Sequence, residues 1–450
     1  MRKSRSFQPN LTYQWLELDH AKELQALSEL LDQHPKIAEL ILQDLSGEAL
    51  DQTGACGMTA DQVFRALLLK QMESWSYSEL HFHLTDSQTF RTFCRLSFAQ
   101  KVPARSTLAG NIKKIRFETL EAINQMIVLE AQQRGIERGS TVRVDCTVVE
   151  THIHPPMDSQ QLWDCIRVLS RLLKRTRKLL PPGTFIVHSR KKRAKRRCRE
   201  IATTRKKEVR RQAYRDLVKV AKEIQAKGHE ALGRLEASTD SLTACSLMSQ
   251  IQRFLGLTDR TLDQIRRRVF NGEAVPAGEK LVSVFEQHTD IIRKDHRDTY
   301  YGHKVCLTGG KSSMILDCQI LDGNPADSTL AVPAMKRHQR TYGRAPRQAV
   351  FDGAFASGAN LNEIKDLGVQ DVVFSKGRYL KISDMAKSLW VYRKLRNFRA
   401  GIEGCISFLK RTFGLDRCTW RSHPSFKSYV WSSILACNFL LMARAVVSSA

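Results

Sequence analysis

The sequence is short of several features that mark other classes of protein. Its 11 cysteines are odd in number and none form a C-x-x-C pair. Zinc-knuckle and thioredoxin-like motifs therefore find no support, and reduced thiols in a cytoplasmic chain are the simple reading. The start, Met1-Arg-Lys-Ser-Arg-Ser-Phe7, lacks the apolar segment of a secretory signal. No apolar run fills a membrane span of roughly 20 residues. The longest, Ile434 to Val447, carries Asn438 and Arg444 and reads as a buried terminal helix. No membrane partner is expected.

Acid is scarce beside base. Lys and Arg total 72 against 46 Asp and Glu, a net charge of +26. Hydrophobic residues make up 42% of the 450, enough for a sizeable core, so global disorder is excluded. A folded chain with this much unbalanced charge implies a polyanionic partner: nucleic acid first, an anionic membrane surface second and a basic RNA-packing role as the bland third. The excess is local: Arg167 to Val220 holds 21 Lys/Arg and three Asp/Glu. Its densest patch is Lys191, Lys192, Arg193, Lys195, Arg196 and Arg197. Surface charge usually mixes signs, and this run does not.

Residues 1–135 read as helical. Thr59-Ala-Asp-Gln62 and Ser76-Tyr-Ser-Glu79 are capping boxes, and a third helix is expected to start after Pro103. Short helices between tight polar turns suit a helix-turn-helix type of DNA-binding module. Thr141 to Val149 is rich in β-branched residues and predicts a strand, with Arg143, Asp145 and Thr147 on one face. Residues from about 160 to 285 are helical and polar, interrupted by Pro181-Pro-Gly183. Strand patterns return at 300–307 and 313–321, joined by Gly309-Gly310, then at 348–355 and 369–375, with helices between and after them. The order implies an α/β chain with a mixed sheet, interrupted once.

Three acidic residues stand out in this basic chain. Asp145 lies inside an apolar strand, where a bare carboxylate is costly. Asp352 ends a strand and precedes Gly353. Glu403 shares a helix face with Arg399 and Lys410. Taken singly, each reads more simply as an ion-paired or turn residue. Together they suit metal-assisted phosphoryl transfer, which needs several carboxylates converging on divalent ions. Asp158, Asp298, Asp317 and Asp327 are rivals whose contexts suggest polar turns or caps. His303 and Lys304 are further candidates to reach the same place from the second strand. His152 and His154 have no ligand cluster beside them.

Four stretches carry a resemblance to a known family. They are Val144-Asp-Cys-Thr-Val-Val-Glu-Thr-His-Ile-His154; Tyr300-Tyr-Gly-His-Lys304 with Gly323-Asn-Pro-Ala-Asp-Ser328; Phe351-Asp-Gly-Ala-Phe-Ala-Ser357; and Arg393-Lys-Leu-Arg-Asn-Phe-Arg-Ala-Gly-Ile-Glu403, continuing to Lys410 and Phe413-Gly. With them the chain resembles the bacterial insertion-sequence DDE transposases. The resemblance implies an α/β ribonuclease-H-like core, a mixed sheet flanked by helices. An all-helical N-terminal domain precedes it, and a long basic helical insertion follows its first strand. The implied domains are 1–135, helical and DNA-binding; 136–160, the first core strand; 161–290, the basic insertion; and 291–450, the rest of the core.

The resemblance further implies that Asp145, Asp352 and Glu403 are the catalytic, metal-holding triad for two Mg²⁺ ions, with Mn²⁺ able to substitute. Arg399 and Lys410 match the arginine and lysine of the family's Y-R-E-K signature. The tyrosine position holds Arg396, which puts its usual DNA contact in doubt, and Tyr392 lies one turn away. The implied activity is cleavage at terminal inverted repeats and strand transfer into target DNA. A homodimer or larger assembly on double-stranded DNA and a cytoplasmic site of action on a bacterial chromosome are implied with it. The alternatives are a domesticated or inactive relative that only binds DNA, and a nuclease of the same fold that cuts without joining.

Overall fold

The computed structural model describes residues 3–5, 15, 17–47, 57–97, 100–238, 241–294, 298–377 and 379–449. Most of the Met1–Phe7 stretch and Cys56 lie outside them. The chain forms two compact units, one made of residues 1–152 with 292–450 and the other of 153–291.

The first unit opens with α1 (Asp19–Gln33), α2 (Pro35–Ser46), α3 (Ala60–Met72), α4 (Tyr77–Asp86), α5 (Gln88–Phe93), α6 (Arg105–Ile112) and α7 (Phe117–Gln133). Both expected capping boxes form: Thr59 with Gln62 starts α3, and Ser76 with Glu79 starts α4. Each box satisfies two backbone N–H groups that a helix start leaves open. Every residue of α3 is buried, including Arg65 and Lys70. It is the central strut of the bundle, and its faces are unavailable to a ligand.

Burial pushes the Lys70 ammonium down to about 8, while Tyr77 sits under it with the ring centroid 5.2 Å away. The folded value lies below the ordinary 10.5. Between about pH 8 and 10.5 the unfolded chain thus keeps a proton that the folded one has released, and the cost of burying the charge fades as pH rises. Lys70→Met is expected to be more stable than wild type at pH 7, with the gap narrowing between pH 8 and 10. Denaturant melts across that range check it. A gap independent of pH rules out a buried charge as the cause.

Strand β1 (Thr141–Glu150) follows the bundle, and the chain then leaves for the second unit. That unit holds α8 (Asp158–Leu179), α9 (Lys191–Thr203), α10 (Lys207–Ser238) and α11 (Leu242–Ile265). It has a core of its own, built from residues such as Leu169, Leu173, Leu217, Ile224 and Ile251. Pro181-Pro-Gly183 separates α8 from α9, as the sequence suggests. Asp158 opens α8, buried against Arg268 at 2.8 Å and Gln264 at 2.6 Å. His154 is tied to Asp164 at 2.9 Å, which raises the imidazole above its usual range.

The remaining strands are β2 (Asp290–Lys294), β3 (Asp298–Gly309), β4 (Ile315–Ile320), β5 (Gln348–Phe351) and β6 (Asp371–Phe374). β3 runs antiparallel to β1 and β4 antiparallel to β3, while β5 and β6 continue parallel on the other side of β1. The core order β4-β3-β1-β5-β6, with β1 central, is ribonuclease-H-like, and β2 adds to β3. β2 has no counterpart among the strands expected from the sequence.

Asp317, expected in a polar turn, lies elsewhere. That residue is in the middle of β4 rather than in a turn, buried and held by both arms of Arg337. Arg337 comes from the next helix, α12 (Ala331–Tyr342), so the partner is 20 residues away and invisible to local pattern.

Helices α13 (Gly358–Asp366), α14 (Ile382–Met385), α15 (Leu389–Thr412) and α16 (His423–Ser449) complete the unit. α16 is long and apolar enough to cross a membrane, but 72% of its apolar stretch is buried inside the fold. Phe439 meets Phe64 of α3 edge-on at 5.9 Å. Asn438 accepts from Ile315 N–H at 2.9 Å and donates to Asn124 of α7 at 2.8 Å. The N-terminal helices, the sheet and α16 thus share one hydrophobic core.

Candidate active site

The site begins with register. Val144 of β1 pairs with Phe351 of β5, so the next residues, Asp145 and Asp352, emerge side by side where β5 ends. Ends of parallel strands are where α/β sheets offer a crevice, because the backbone there is no longer occupied by the ladder. The chain turns sharply after Asp352 through Gly353. A Cβ on Gly353 would lie 2.8 Å from Lys376 Cβ, so only glycine fits.

The third carboxylate arrives on α15. Ser388 caps this helix by accepting from Val391 N–H. The face of β1 carrying Arg143 and Asp145 lies beneath it, as contacts from both residues to α15 show. One guanidinium then gathers all three acids. Arg399 Nη2 is 3.3 Å from Asp145 Oδ2 and 3.3 Å from Asp352 Oδ1, and Nη1 is 3.0 Å from Glu403 Oε1. An open cleft of about 850 Å³ contains Asp145, Asp352, Arg399, Glu403, Lys410 and Asp416. Glu403 is the most exposed of the triad at 64%, against 17% for Asp145 and 38% for Asp352.

Burial alone would raise the Asp352 carboxyl, but hydrogen bonds from Ser375 and Gly353 N–H, with Arg399 and Lys376 nearby, outweigh it and hold the group below its ordinary value. Ser375 donates to Asp352 Oδ1 at 2.8 Å. It was missed in the sequence, although the signal was present. Val-Phe-Asp352 and Val-Phe-Ser375 end adjacent parallel strands in register, Phe351 opposite Phe374. Asp416 was missed as well. Its backbone carbonyl accepts from Glu150 N–H at 3.0 Å, which brings it beside the end of β1, and its carboxylate meets Lys410 at 3.3 Å.

Other candidates are placed differently. Arg396 is exposed on α15, one turn before Arg399, and Tyr392 is buried. Lys304 pairs with Asp327 and donates to the Pro325 carbonyl at 2.7 Å. His303 is buried, stacked on His423 at 4.9 Å.

The basic run divides in two. Arg193 and Arg197 of α9 both clamp Asp216 of α10, whose carboxyl they pull down to about 2. Lys192, Lys195 and Arg196 project into solvent, and Lys191 is half-buried at the start of the helix. Burial lowers the Lys191 ammonium, and the cations Lys174, Arg167 and Arg171 lower it further.

A ribonuclease-H-like core with carboxylates on two neighbouring strands and a third on the helix laid over them is the class this fold defines. Residues 279–439 match the family model of the transposase DDE domain, and residues 12–114 match that of the transposase domain DUF772. The chain therefore carries a DDE-type transposase domain with a second transposase domain at its N-terminal side. No curated protein and no solved structure matches it.

Proposed function

We propose that the chain is a bacterial insertion-sequence transposase of the Y-R-E-K group, with Asp145, Asp352 and Glu403 as its catalytic carboxylates. The observation that carries the reading is their convergence on one cation, Arg399, from β1, the end of β5 and α15. Three carboxylates offer only hard oxygen donors, the set that Mg²⁺ and Mn²⁺ prefer, and they already enclose a positive charge. These residues fit a pair of divalent ions, which when bound would polarise the phosphoryl group and make water acidic enough to attack.

The reaction is hydrolysis of a phosphodiester at the element's end, which frees a 3′-hydroxyl. Attack of that hydroxyl on a target phosphodiester follows, releasing one target 3′-oxygen as the new bond forms. Arg399 and Lys410 supply cationic donors on the cleft wall for non-bridging phosphate oxygens, and Arg396 extends that surface along α15. Asp416 tethers Lys410. Two element ends must be held together, so a dimer or larger assembly forms on DNA, in the cytoplasm where the chromosome lies.

Recognition of the terminal repeats falls to residues 1–135, on the exposed helices α4 and α6 rather than the buried α3. Residues 104–107, at the start of α6, are exposed. The insertion adds contacts to phosphates. Replacing Lys192, Lys195 and Arg196 together with glutamine is expected to weaken binding to all duplexes alike. The slope of log K against log salt should fall by roughly 3, about one per lost phosphate contact. Titrations between low and moderate salt measure it. Arg193→Gln is expected to change the slope little, because that side chain is engaged with Asp216. Equal slopes for wild type and the triple variant remove the insertion from the interface.

The deciding experiment is cleavage of labelled DNA bearing the element's own terminal repeat, with Mg²⁺ or Mn²⁺, for wild type and Glu403→Gln. Metal-dependent nicking lost in the variant, with DNA binding kept, supports the triad. Equal nicking by both proteins removes Glu403 from it. Tight binding without nicking by either identifies a DNA-binding relic. Nicking with no joining of pre-cleaved ends identifies a nuclease.

A further inference from the structure

We infer that Arg143 is a positioning residue that sets the height of α15 above the sheet and thereby holds Glu403 opposite Asp145 and Asp352. The inference rests on the proposal that Glu403 is the third metal-holding carboxylate.

Arg143 sits two residues before Asp145 on the same face of β1 and is 5% exposed. A buried guanidinium normally faces a carboxylate. Among the described residues no ion pair is made by Arg143. Its Nη1 donates to the Phe398 carbonyl at 3.1 Å, and Nη2 donates to Ser313 Oγ at 3.3 Å and to Cys405 Sγ at 3.2 Å. Its guanidinium carbon lies 4.7 Å from the centre of the Phe398 ring. Two of the three hydrogen bonds and the ring contact are therefore to α15. They bracket Arg399 and Glu403, which lie between Phe398 and Cys405 in the same helix.

The helix is shaped to receive this side chain. A Cβ on Gly401 would collide with Arg143 Nη1. On β3, a Cβ on Gly309 would lie 2.8 Å from Ile402 Cδ1. Glycine in the middle of a helix is unfavourable relative to alanine, so its presence here needs a packing reason. The reason is the close approach of the arginine. Burying a charge with only neutral acceptors is costly as a stability device. It makes sense as a rigid spacer, because a two-armed planar group fixes both distance and orientation. Glu403 is 64% exposed and has little packing to fix it, so its position follows that of the helix backbone.

The test uses the full chain and Mn²⁺ as probe, with bound ion read directly by electron paramagnetic resonance in the absence of DNA. Arg143→Met keeps length and removes the two arms. It is expected to raise the half-saturating Mn²⁺ concentration about 10–100-fold, the range seen when groups that orient metal ligands are lost. Arg143→Lys, with one arm, is expected to fall between.

Gly401→Ala keeps the design decisive if Arg143→Met does not fold. Alanine favours helix, so a purely local effect would stabilise α15. Collision with Arg143 instead predicts weaker Mn²⁺ binding, and combining Gly401→Ala with Arg143→Met is expected to match Arg143→Met alone. Cleavage measured alongside should lose kcat with KM for DNA unchanged. Wild-type Mn²⁺ affinity in both Arg143→Met and Gly401→Ala, while Glu403→Gln weakens it, overturns the role of Arg143 and leaves the triad intact. Wild-type affinity in Glu403→Gln itself overturns the triad reading instead.

Discussion

Asp352→Asn is expected to lower metal-dependent cleavage ~10³-fold or more, since metal-assisted stabilisation of phosphoryl transfer amounts to several kcal/mol and each 1.4 kcal/mol is about tenfold in rate. The change is nearly isosteric. The carbonyl of asparagine can still accept from Ser375 and Gly353 N–H, so the turn at the end of β5 should persist. What disappears is one negative charge from a set of three. Arg399 keeps its pairs with Asp145 and Glu403, and DNA affinity should hold or rise because the cleft becomes less acidic. Comparing cleavage rate, duplex binding and Mn²⁺ binding in one protein preparation checks the three parts separately. Unchanged cleavage with weakened DNA binding would place Asp352 in the fold rather than in the chemistry.

The second large effect concerns stability. Arg65→Met is expected to cost about 3–5 kcal/mol, the range for breaking a buried ion pair from one side. Arg65 is fully buried, and its Nε lies 2.9 and 3.0 Å from the two oxygens of Asp61, itself 5% exposed. The other arms reach Ser28 Oγ at 2.7 Å, the Phe93 carbonyl at 3.1 Å and Asp32 at 2.9 Å. One side chain thus ties α3 to α1 and to the end of α5. Methionine fills the volume but leaves Asp61 with Arg95 at 3.6 Å as its remaining cationic partner. The double change Asp61→Leu with Arg65→Met should recover part of the loss, because no charge is then stranded. Thermal melts of the single and double variants decide it. A double variant less stable than either single change would show that the network contributes more than its charges.

Much of this arrangement could be read from residues, and the limits have a common cause. Asp145 announced itself as a carboxylate inside a β-branched strand, Asp352 as one at a strand end before glycine, and Glu403 by its helical spacing from Arg399 and Lys410. The capping boxes at Thr59 and Ser76 are local chemistry and formed as expected. The features that escaped depend on partners distant in sequence. Asp317 looked like a turn residue because Arg337 is on another element. Arg193 and Arg197 looked like their neighbours until α10 brought Asp216 against them. The face shared by Arg143 and Asp145 was legible, but the burial of Arg143 was not, since that needs the helix laid over it. Ser375 and Asp416 reach the cleft only through pairing between segments that no periodicity links.

The two units differ in how the chain supplies them. The unit of residues 153–291 is one uninterrupted stretch with a core of its own. The other draws on both sides of it, and its N-terminal helices share their core with α16, through Phe64 against Phe439 and Asn124 against Asn438. During synthesis the basic unit can therefore fold as soon as it emerges. The N-terminal helices must wait for some 300 further residues before the helix that completes their packing is made. Asp145 is made before the basic unit and Asp352 and Glu403 after it, so a chain stopped within that unit holds one of the three carboxylates. The order of translation itself keeps the three carboxylates apart until α15 has been made.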